Sequence, residues 1–155
     1  MTGDAFIQFA AELAARGSSP DPSKHDSDEA RFRSAVSRAY YGAFNLGVQF
    51  LEKLGFRAPS SGNKHFYVRV RLSQSGDEEV ARAGGLLSDL QSERNDANYD
   101  LADPGVGTQQ VAMTSVETAH EIRRALTGCS EPRCSAIKTA ILNYEKLIKE
   151  GRASR

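Results

Sequence analysis

Arg94 stands where the spacing of apolar residues predicts a position in a helical core. Leu87 and Leu90 precede it, and Ala97 and Leu101 follow it, at the steps of three and four that mark one helix face. A guanidinium is always charged, and burying it without a partner is costly. Arg94 therefore pairs with a carboxylate, reaches solvent at a helix end, or lines a cleft that binds an anion. Its position alone favours the ion pair, and the anion-binding interpretation stays open.

The residues around Arg94 are almost all polar, and several of them can contact a phosphate or an RNA base. They are Glu93, Asn95, Asp96, Asn98, Tyr99 and Asp100. Tyr99 is a poor base at neutral pH, because a phenol has a pKa of about 10. Its hydroxyl can still hydrogen-bond a phosphate, and its ring can stack on a base. Asp96 and Asp100 are the carboxylates with which we expect Arg94 to pair if its role is structural.

Basic residues gather at two further places in the chain. His65 lies beside Lys64, Arg69 and Arg71, so that it is a candidate displaced base or phosphate contact, although an ordinary loop or helix-start position is the favoured interpretation. The segment 133–155 also carries a small excess of Lys and Arg. A charge pattern of that kind is typical of a solvated helix face, and contact with RNA or an acidic partner is the alternative.

Arg38 and Tyr41 lie one turn apart on the longest predicted helix and are candidate supports for Arg94. We expect Arg38 to reach Asp96 or Asp100 and so to fix the segment that contains Arg94. Tyr40 and Tyr41 are otherwise predicted to be aromatic residues of the core or of an interface between two copies of the chain.

The cysteines and histidines do not form a metal-binding pattern. Cys129 and Cys134 lack a second pair of ligands, and His25, His65 and His120 are scattered. We therefore predict no metal and no cofactor. Two reduced thiols are the favoured interpretation of the cysteines, with a regulatory disulfide as the alternative.

Composition excludes several classes of protein. The chain has 155 residues, and its 20 Lys and Arg are balanced by 20 Asp and Glu. This zero formal charge argues against a polybasic protein that covers nucleic acid, but it does not exclude a local basic cleft. The sequence shows neither a signal-peptide pattern nor an apolar run of membrane-spanning length. We expect a single cytoplasmic domain that does not enter membranes.

Helical periodicity dominates the chain, and strand-like alternation is almost absent. The pattern predicts helices over about 4–16, 28–54, 65–72, 78–100, 108–126 and 135–149, with Thr108 capping the fifth. The fold class is therefore all-α, an antiparallel bundle of five or six helices. We assign residues 1–128 to the bundle, and residues 129–155 to a C-terminal helix packed on the same domain and a frayed tail.

The helix predicted over 28–54 is apolar over too wide an arc for a surface helix. Tyr41, Phe44, Val48 and Leu51 form a second apolar stripe beside the first. Such a helix is either the central rod of the domain or is covered on its spare face by another copy of the chain. Gly42 and Gly47 each cost about 1 kcal/mol of helix propensity relative to Ala, which suggests that another backbone approaches closely there.

Two motifs in this chain resemble those of the HEPN family, the higher eukaryotes and prokaryotes nucleotide-binding domain. The first is Arg31–Phe44, RFRSAVSRAYYGAF, and the second is Leu90–Asp100, LQSERNDANYD. The resemblance covers about residues 6–126, and it is more specific when both motifs occur at this distance than when either occurs alone. It implies a helical bundle that forms a homodimer and brings two copies of the second motif to a shared cleft.

The resemblance also implies chemistry on RNA or nucleotides. Many family members are metal-independent endoribonucleases, in which an arginine holds the scissile phosphate and a histidine helps the 2′-hydroxyl to attack. Others are toxins neutralised by a nucleotidyltransferase-type antitoxin, and some are non-catalytic modules that bind RNA or nucleotides. In this chain Arg94 and Asn95 match the motif, but Tyr99 stands where the catalytic pattern has histidine.

We therefore predict a module that binds RNA, a nucleotide or a partner protein and lacks strong catalysis, within a toxin–antitoxin or defence system. The predicted binding residues are Arg94, Asn95, Asn98, His65 and Arg69, with support from Arg38, Tyr41, Asp96 and Asp100. One alternative is an active endoribonuclease toxin that uses Arg94 with Tyr99 or His65. The other is a structural interaction protein in which Arg94 pairs internally with Asp96 or Asp100.

Overall fold

The computed structural model describes residues 2–153, and within that range it is all-helical and contains no strand. The helices are α1 (Gly3–Ala15), α2 (His25–Lys53), α3 (Lys64–Ser73), α4 (Glu78–Tyr99), α5 (Gln109–Thr127) and α6 (Arg133–Ala153), with a short 3-10 helix at Pro22–Lys24. This confirms the all-α class and the number of helices. None of these helices combines the length and the apolar character that a membrane crossing requires.

Several helices begin at a side chain that caps the first turn. Thr108 accepts a hydrogen bond from the Val111 amide at the start of α5, as the sequence predicts. Asp77 accepts one from the Val80 amide at the start of α4, at 3.0 Å. These caps satisfy amides that have no partner inside the helix, and they set where α4 and α5 begin.

Helix α2 is the central rod of the bundle, because it packs against α1, α3, α4 and α5 of the same chain. Phe44, Val48 and Leu51 of its second stripe are buried in a single copy, and Tyr41 is half-buried. Of the two arrangements that the sequence leaves open for this helix, the structure shows the first, a central rod covered by its own chain. The apolar arc of α2 is matched by four neighbours from its own chain and gives no argument for a dimer.

Helix α1 crosses α2 at Gly42, where the two backbones approach closely. A Cβ atom on Gly42 would lie 2.8 Å from the Gly3 carbonyl oxygen and 2.5 Å from Cγ1 of Ile7. The close approach that the sequence predicts is thus confirmed at Gly42. At Gly47 the nearest atom is instead a side-chain atom, Cγ1 of Val68 in α3, at 2.9 Å.

Helix α6 is held to the bundle by two buried side chains, Ile137 and Ile141, and by ion pairs. The Arg133 guanidinium pairs with Asp77 at 2.6 Å and Glu79 at 2.9 Å, at the start of α4. Farther along α6, Glu145 pairs with Arg71 of α3 at 2.9 Å.

Cys129 and Cys134, at the junction of α5 and α6, form a disulfide, whereas the sequence favours free thiols. Their Cα atoms lie 5.8 Å apart, at a sequence separation of 5 across the connection between the two helices. A disulfide spans this separation without moving the backbone.

Candidate anion-binding site

Arg94 lies near the end of α4, and its half-buried guanidinium reaches the side of α2. Nη2 donates to the Tyr41 hydroxyl at 2.7 Å, and Nη1 donates to Oδ1 of Asn95 at 3.0 Å. Nε is buried and has no hydrogen-bond partner. Within residues 2–153 the internal ion pair with Asp96 or Asp100 is not formed, so that the guanidinium keeps an unpaired buried donor and an uncompensated charge.

Aromatic rings surround this guanidinium. Its central carbon lies 5.2 Å from the ring centroid of Tyr41, 5.9 Å from that of Tyr40 and 6.0 Å from that of Tyr99. The faces of aromatic rings attract cations at these distances. The rings fix where the guanidinium lies without neutralising its charge.

His65, at the start of α3, is a second neighbour of Tyr40, in addition to Arg94. Its Nδ1 is 2.5 Å from the Tyr40 hydroxyl, and its ring packs on Phe44 with 4.2 Å between centroids. Burial raises the pKa of Tyr40 to about 12, so the phenol stays protonated at neutral pH. Burial, with the charges of Arg94 and Lys64, lowers the pKa of His65 and favours a neutral imidazole.

When the Tyr40 hydroxyl donates to Nδ1, the imidazole proton lies on Nε2, which then donates to a ligand. When the hydroxyl accepts from Nδ1–H, Nε2 is unprotonated and can accept a proton. Nε2 is thus available as a donor in the first tautomer and as an acceptor in the second.

Three partly buried cations meet around Tyr40 and His65, and none has a carboxylate partner among residues 2–153. They are Lys64 and Arg69 of α3 and Arg94 of α4. Arg94 and Arg69 lie close enough to Tyr40 to act on its charge, and Arg94 and Lys64 do the same at His65. Arg69 donates to the Ser88 hydroxyl at 3.0 Å, and the Lys64 ammonium lies 5.8 Å from the Phe44 ring centroid. We call Lys64, Arg69, Arg94 and His65 the cation cluster.

The other buried or partly buried arginines in the described part of the chain each pair with a carboxylate. They are Arg31 with Asp28, Arg33 with Glu29, Arg71 with Glu145, and Arg133 with Asp77. Partial burial of like charges without counter-charges is unfavourable. The cation cluster thus has the electrostatics of a site that receives an anion.

Arg33, not Arg38, fixes the chain that follows Arg94. The buried Arg33 guanidinium donates to the carbonyl oxygens of Ala97 at 3.2 Å, Asp100 at 2.9 Å and Asp103 at 2.6 Å. Arg38 is exposed and lies against the Phe6 ring, 5.8 Å from its centroid, so the expected reach to Asp96 or Asp100 is wrong.

The sequence prediction does not include Arg33, although this charged residue stands three residues before Val36 and seven before Tyr40, a spacing of one helix face. A charge at apolar spacing is thus the sequence signal that Arg33 shares with Arg94. Arg33 lies on the buried side of α2, and from there its guanidinium reaches the end of α4.

The remaining predicted residues lie at the edge of the cluster rather than in it. Asn95, Asp96, Asn98 and Asp100 are exposed, and Tyr99 is 76% exposed with only its ring near Arg94. Of the predicted site residues, the structure brings together Arg94, Tyr41, His65 and Arg69. It adds three residues that the site prediction does not include: Tyr40, Phe44 and Lys64. Tyr99 is left open to solvent.

No group of three or more His, Cys, Asp and Glu side chains within residues 2–153 is arranged to hold a metal ion. Comparisons with protein-family models, with curated proteins and with solved structures find no match to this chain.

Proposed function

We propose that this chain is a HEPN-type module that binds the phosphate groups of RNA or of a nucleotide at the cation cluster, without strong catalysis. The observation that carries the proposal is the meeting of Lys64, Arg69 and Arg94, partly buried and without carboxylates, around one histidine. The phosphodiester backbone supplies the negative charge that this cluster lacks. The two motifs that resemble the HEPN family contribute Tyr41 and Arg94 to the same place.

Each residue of the cluster has a distinct part in this proposal. Arg94 offers a planar set of donors suited to two phosphate oxygens, and its hydrogen bond to Tyr41 holds that plane in place. His65, held by Tyr40, offers a third donor through Nε2. Lys64 and Arg69 add charge at the rim. Because the whole chain carries no net charge, attraction of RNA depends on this local cluster.

A binding assay tests the proposal directly. We expect Arg94→Gln to weaken binding of a fluorescently labelled single-stranded RNA by about tenfold, as hydrogen bonds to charged groups are worth about 1.5–3 kcal/mol. Arg16→Gln is the matched control, because Arg16 is exposed, follows the end of α1 and pairs with no carboxylate of the described residues. Fluorescence anisotropy at fixed salt is the measurement. Equal affinities of the two variants would refute phosphate binding at Arg94.

A second candidate, a metal-independent endoribonuclease, is favoured by the placement of His65. The imidazole is held by Tyr40 and lies on the same cluster as Arg94. In the tautomer with Nε2 unprotonated, His65 can accept the proton of an RNA 2′-hydroxyl while Arg94 holds the phosphate. The 2′-oxygen then bonds to phosphorus, the P–O5′ bond breaks, and the leaving 5′-oxygen takes a proton from water, which gives a 2′,3′-cyclic phosphate and a 5′-hydroxyl end. Tyr99 is less suited to this role, because its phenol is exposed and a poor base at neutral pH.

A cleavage assay in EDTA separates the two candidates. An enzyme would cut RNA to cyclic-phosphate ends, would lose activity in His65→Gln and Arg94→Gln, and would keep activity in Tyr99→Phe. A binding module would show no cleavage above the Arg94→Gln variant while it retains RNA affinity.

The homodimer and the nucleotidyltransferase-type antitoxin are partners that the resemblance implies, and both stay predictions. Light scattering tests the first, because a dimer has twice the 16.9 kDa mass of the chain. Growth of a bacterial host that overproduces the chain, with and without the neighbouring gene, tests a toxin and its antitoxin.

A further inference from the structure

A groove of about 370 Å³ lies between α3 and α6, next to the cation cluster. Three aromatic side chains line it: Phe66 and Tyr67 from α3 and Tyr144 from α6. Phe66 is 54% exposed, although burial of a phenylalanine side chain lowers the free energy of the folded protein. The groove therefore offers an aromatic face on which a flat apolar group can stack.

The charges of the groove favour an anionic ligand. Its carboxylate, Glu145, is already paired with Arg71 at 2.9 Å, and the Arg71 guanidinium stacks on the Tyr67 ring at 3.4 Å from its centroid. Lys149 and Arg152 line the α6 wall and have no carboxylate partner in residues 2–153. The groove thus keeps two free positive charges beside its rings.

Phe66 joins this groove to the cation cluster. It directly follows His65 in α3, and the Arg69 guanidinium lies 5.5 Å from the centroid of its ring. A ligand that places a phosphate on Arg94 and Arg69 has the Phe66 ring as its next neighbour along α3. The two surfaces are therefore connected along α3 through Phe66 and Arg69.

We propose that the groove between α3 and α6 is a base-binding subsite for single-stranded RNA. An unpaired base stacks on Phe66, while Lys149 and Arg152 contact the phosphate that follows it. Proteins bind single strands by stacking unpaired bases on aromatic side chains and by contacting the phosphates with basic side chains. A duplex does not bind in this way, because its bases are already stacked and paired. This inference rests on the proposed phosphate site at Arg94 and adds the path of the strand.

A tryptophan probe reports base stacking directly. The chain contains no tryptophan, so Phe66→Trp introduces a single fluorophore into the groove. We expect single-stranded RNA to quench its fluorescence, whereas a strand of the same length without bases, or a blunt duplex, leaves it unchanged. Equal quenching by the strand without bases, or no quenching by RNA that binds, would overturn the proposal.

Affinity measurements separate the groove from the cluster. We expect Phe66→Ala to weaken binding of single-stranded RNA by about 5- to 100-fold, the range for loss of one stacked base. Binding of the strand without bases should not change. Phe66→Tyr should keep the RNA affinity of the unmodified protein, because tyrosine retains an aromatic ring for stacking. Phe9→Ala is the matched control, because Phe9 is an exposed aromatic residue of α1, and melting curves check that all variants fold.

The outcomes distinguish the two proposals. If Phe66→Ala binds RNA like the unmodified protein while Arg94→Gln does not, the groove proposal fails and the phosphate site stands. If neither variant loses affinity, both proposals fail.

Discussion

Arg33 and Arg94 both carry charge into the bundle, but their surroundings differ in the way that separates a structural arginine from a ligand-binding one. Arg33 is buried, pairs with Glu29 and donates to carbonyl oxygens at the end of α4. Arg94 has a neutral phenol and an amide as acceptors, and its Nε has none. Satisfied donors stabilise a fold, whereas an unsatisfied buried donor costs stability.

His65 gives a test of the site at the level of one titrating group. Burial and the nearby charges of Arg94 and Lys64 disfavour the imidazolium, so we expect His65 to titrate below the ordinary histidine pKa of 6.5. Bound single-stranded RNA should raise that midpoint, because a phosphate stabilises the protonated ring. NMR titration of the ring protons measures both values. A midpoint above 6.5 in the free protein would contradict the described surroundings of His65.

The sequence identifies three candidate site residues, Arg94, His65 and Arg69. Each adds charge or a titratable group to an otherwise apolar or aromatic pattern. The sequence does not identify Tyr40, because its partner His65 lies 25 residues further along and on another helix. The reach of Arg33 to Ala97 spans 64 residues. Which helix faces which is decided by packing of the whole bundle, and one sequence does not show it.

The existence of the helices is the best-predicted feature of the molecule, since apolar residues at steps of three and four require one buried face. Their ends are less well predicted. Helix α2 begins at His25 rather than Asp28, and α6 continues to Ala153 rather than ending at Lys149. Residues 25–27 and 150–152 are exposed and carry no large apolar side chain, so that the apolar pattern does not reveal them.

The crossing of α1 and α2 provides a test at the level of elements. Gly42→Ala places a methyl group against the Gly3 carbonyl and Ile7, and we expect it to destabilise the protein by about 1–2 kcal/mol in spite of better helix propensity. Gly85→Ala is the control, because Gly85 is a helical glycine of α4 with open space around it. It should stabilise the protein by about 0.5–1 kcal/mol. Urea denaturation measures both, and equal effects of the two substitutions would contradict the close crossing.

At the scale of the whole molecule, the attachment of α6 depends on the ion pair between Arg133 and Asp77. Hydrogen bonds from Arg133 lower the pKa of Asp77 from 3.8 to about 2. A lowered pKa in the folded state means that the pair stabilises the protein above about pH 4, and that this contribution is lost as the pH falls towards 2. The docking of α6, which forms one wall of the aromatic groove, should therefore weaken in acid.

Asp77→Asn isolates this charge, because asparagine caps a helix about as well as aspartate. We expect the variant to be less stable than the unmodified protein at pH 7 by roughly 1 kcal/mol, the scale of a partly exposed ion pair. The difference should close between pH 4 and pH 2. Denaturant unfolding at several pH values measures it, and a difference that persists unchanged in acid would exclude the ion pair as its source.

An apolar helix face in the sequence does not show whether the same chain or a second copy of it covers that face, and the expected dimer is an example. The wide apolar arc of α2 requires a cover, but the pattern is the same whether that cover comes from the same chain or from a second copy. In the bundle, α1, α3, α4 and α5 provide it. The charge balance is likewise uninformative at the level of the whole chain, because zero net charge conceals a local cluster of cations.

The most direct measurement compares Arg94→Gln with Arg33→Gln for both stability and RNA affinity. Arg94 lies among unpaired cations, so we expect Arg94→Gln to melt no lower than the unmodified protein and to bind single-stranded RNA about tenfold more weakly. Arg33→Gln should lower stability by about 2–4 kcal/mol, because it removes a buried ion pair and the hydrogen bonds that end α4. If Arg94→Gln instead melts far below the unmodified protein and binds RNA with full affinity, Arg94 is structural and the anion site is refuted.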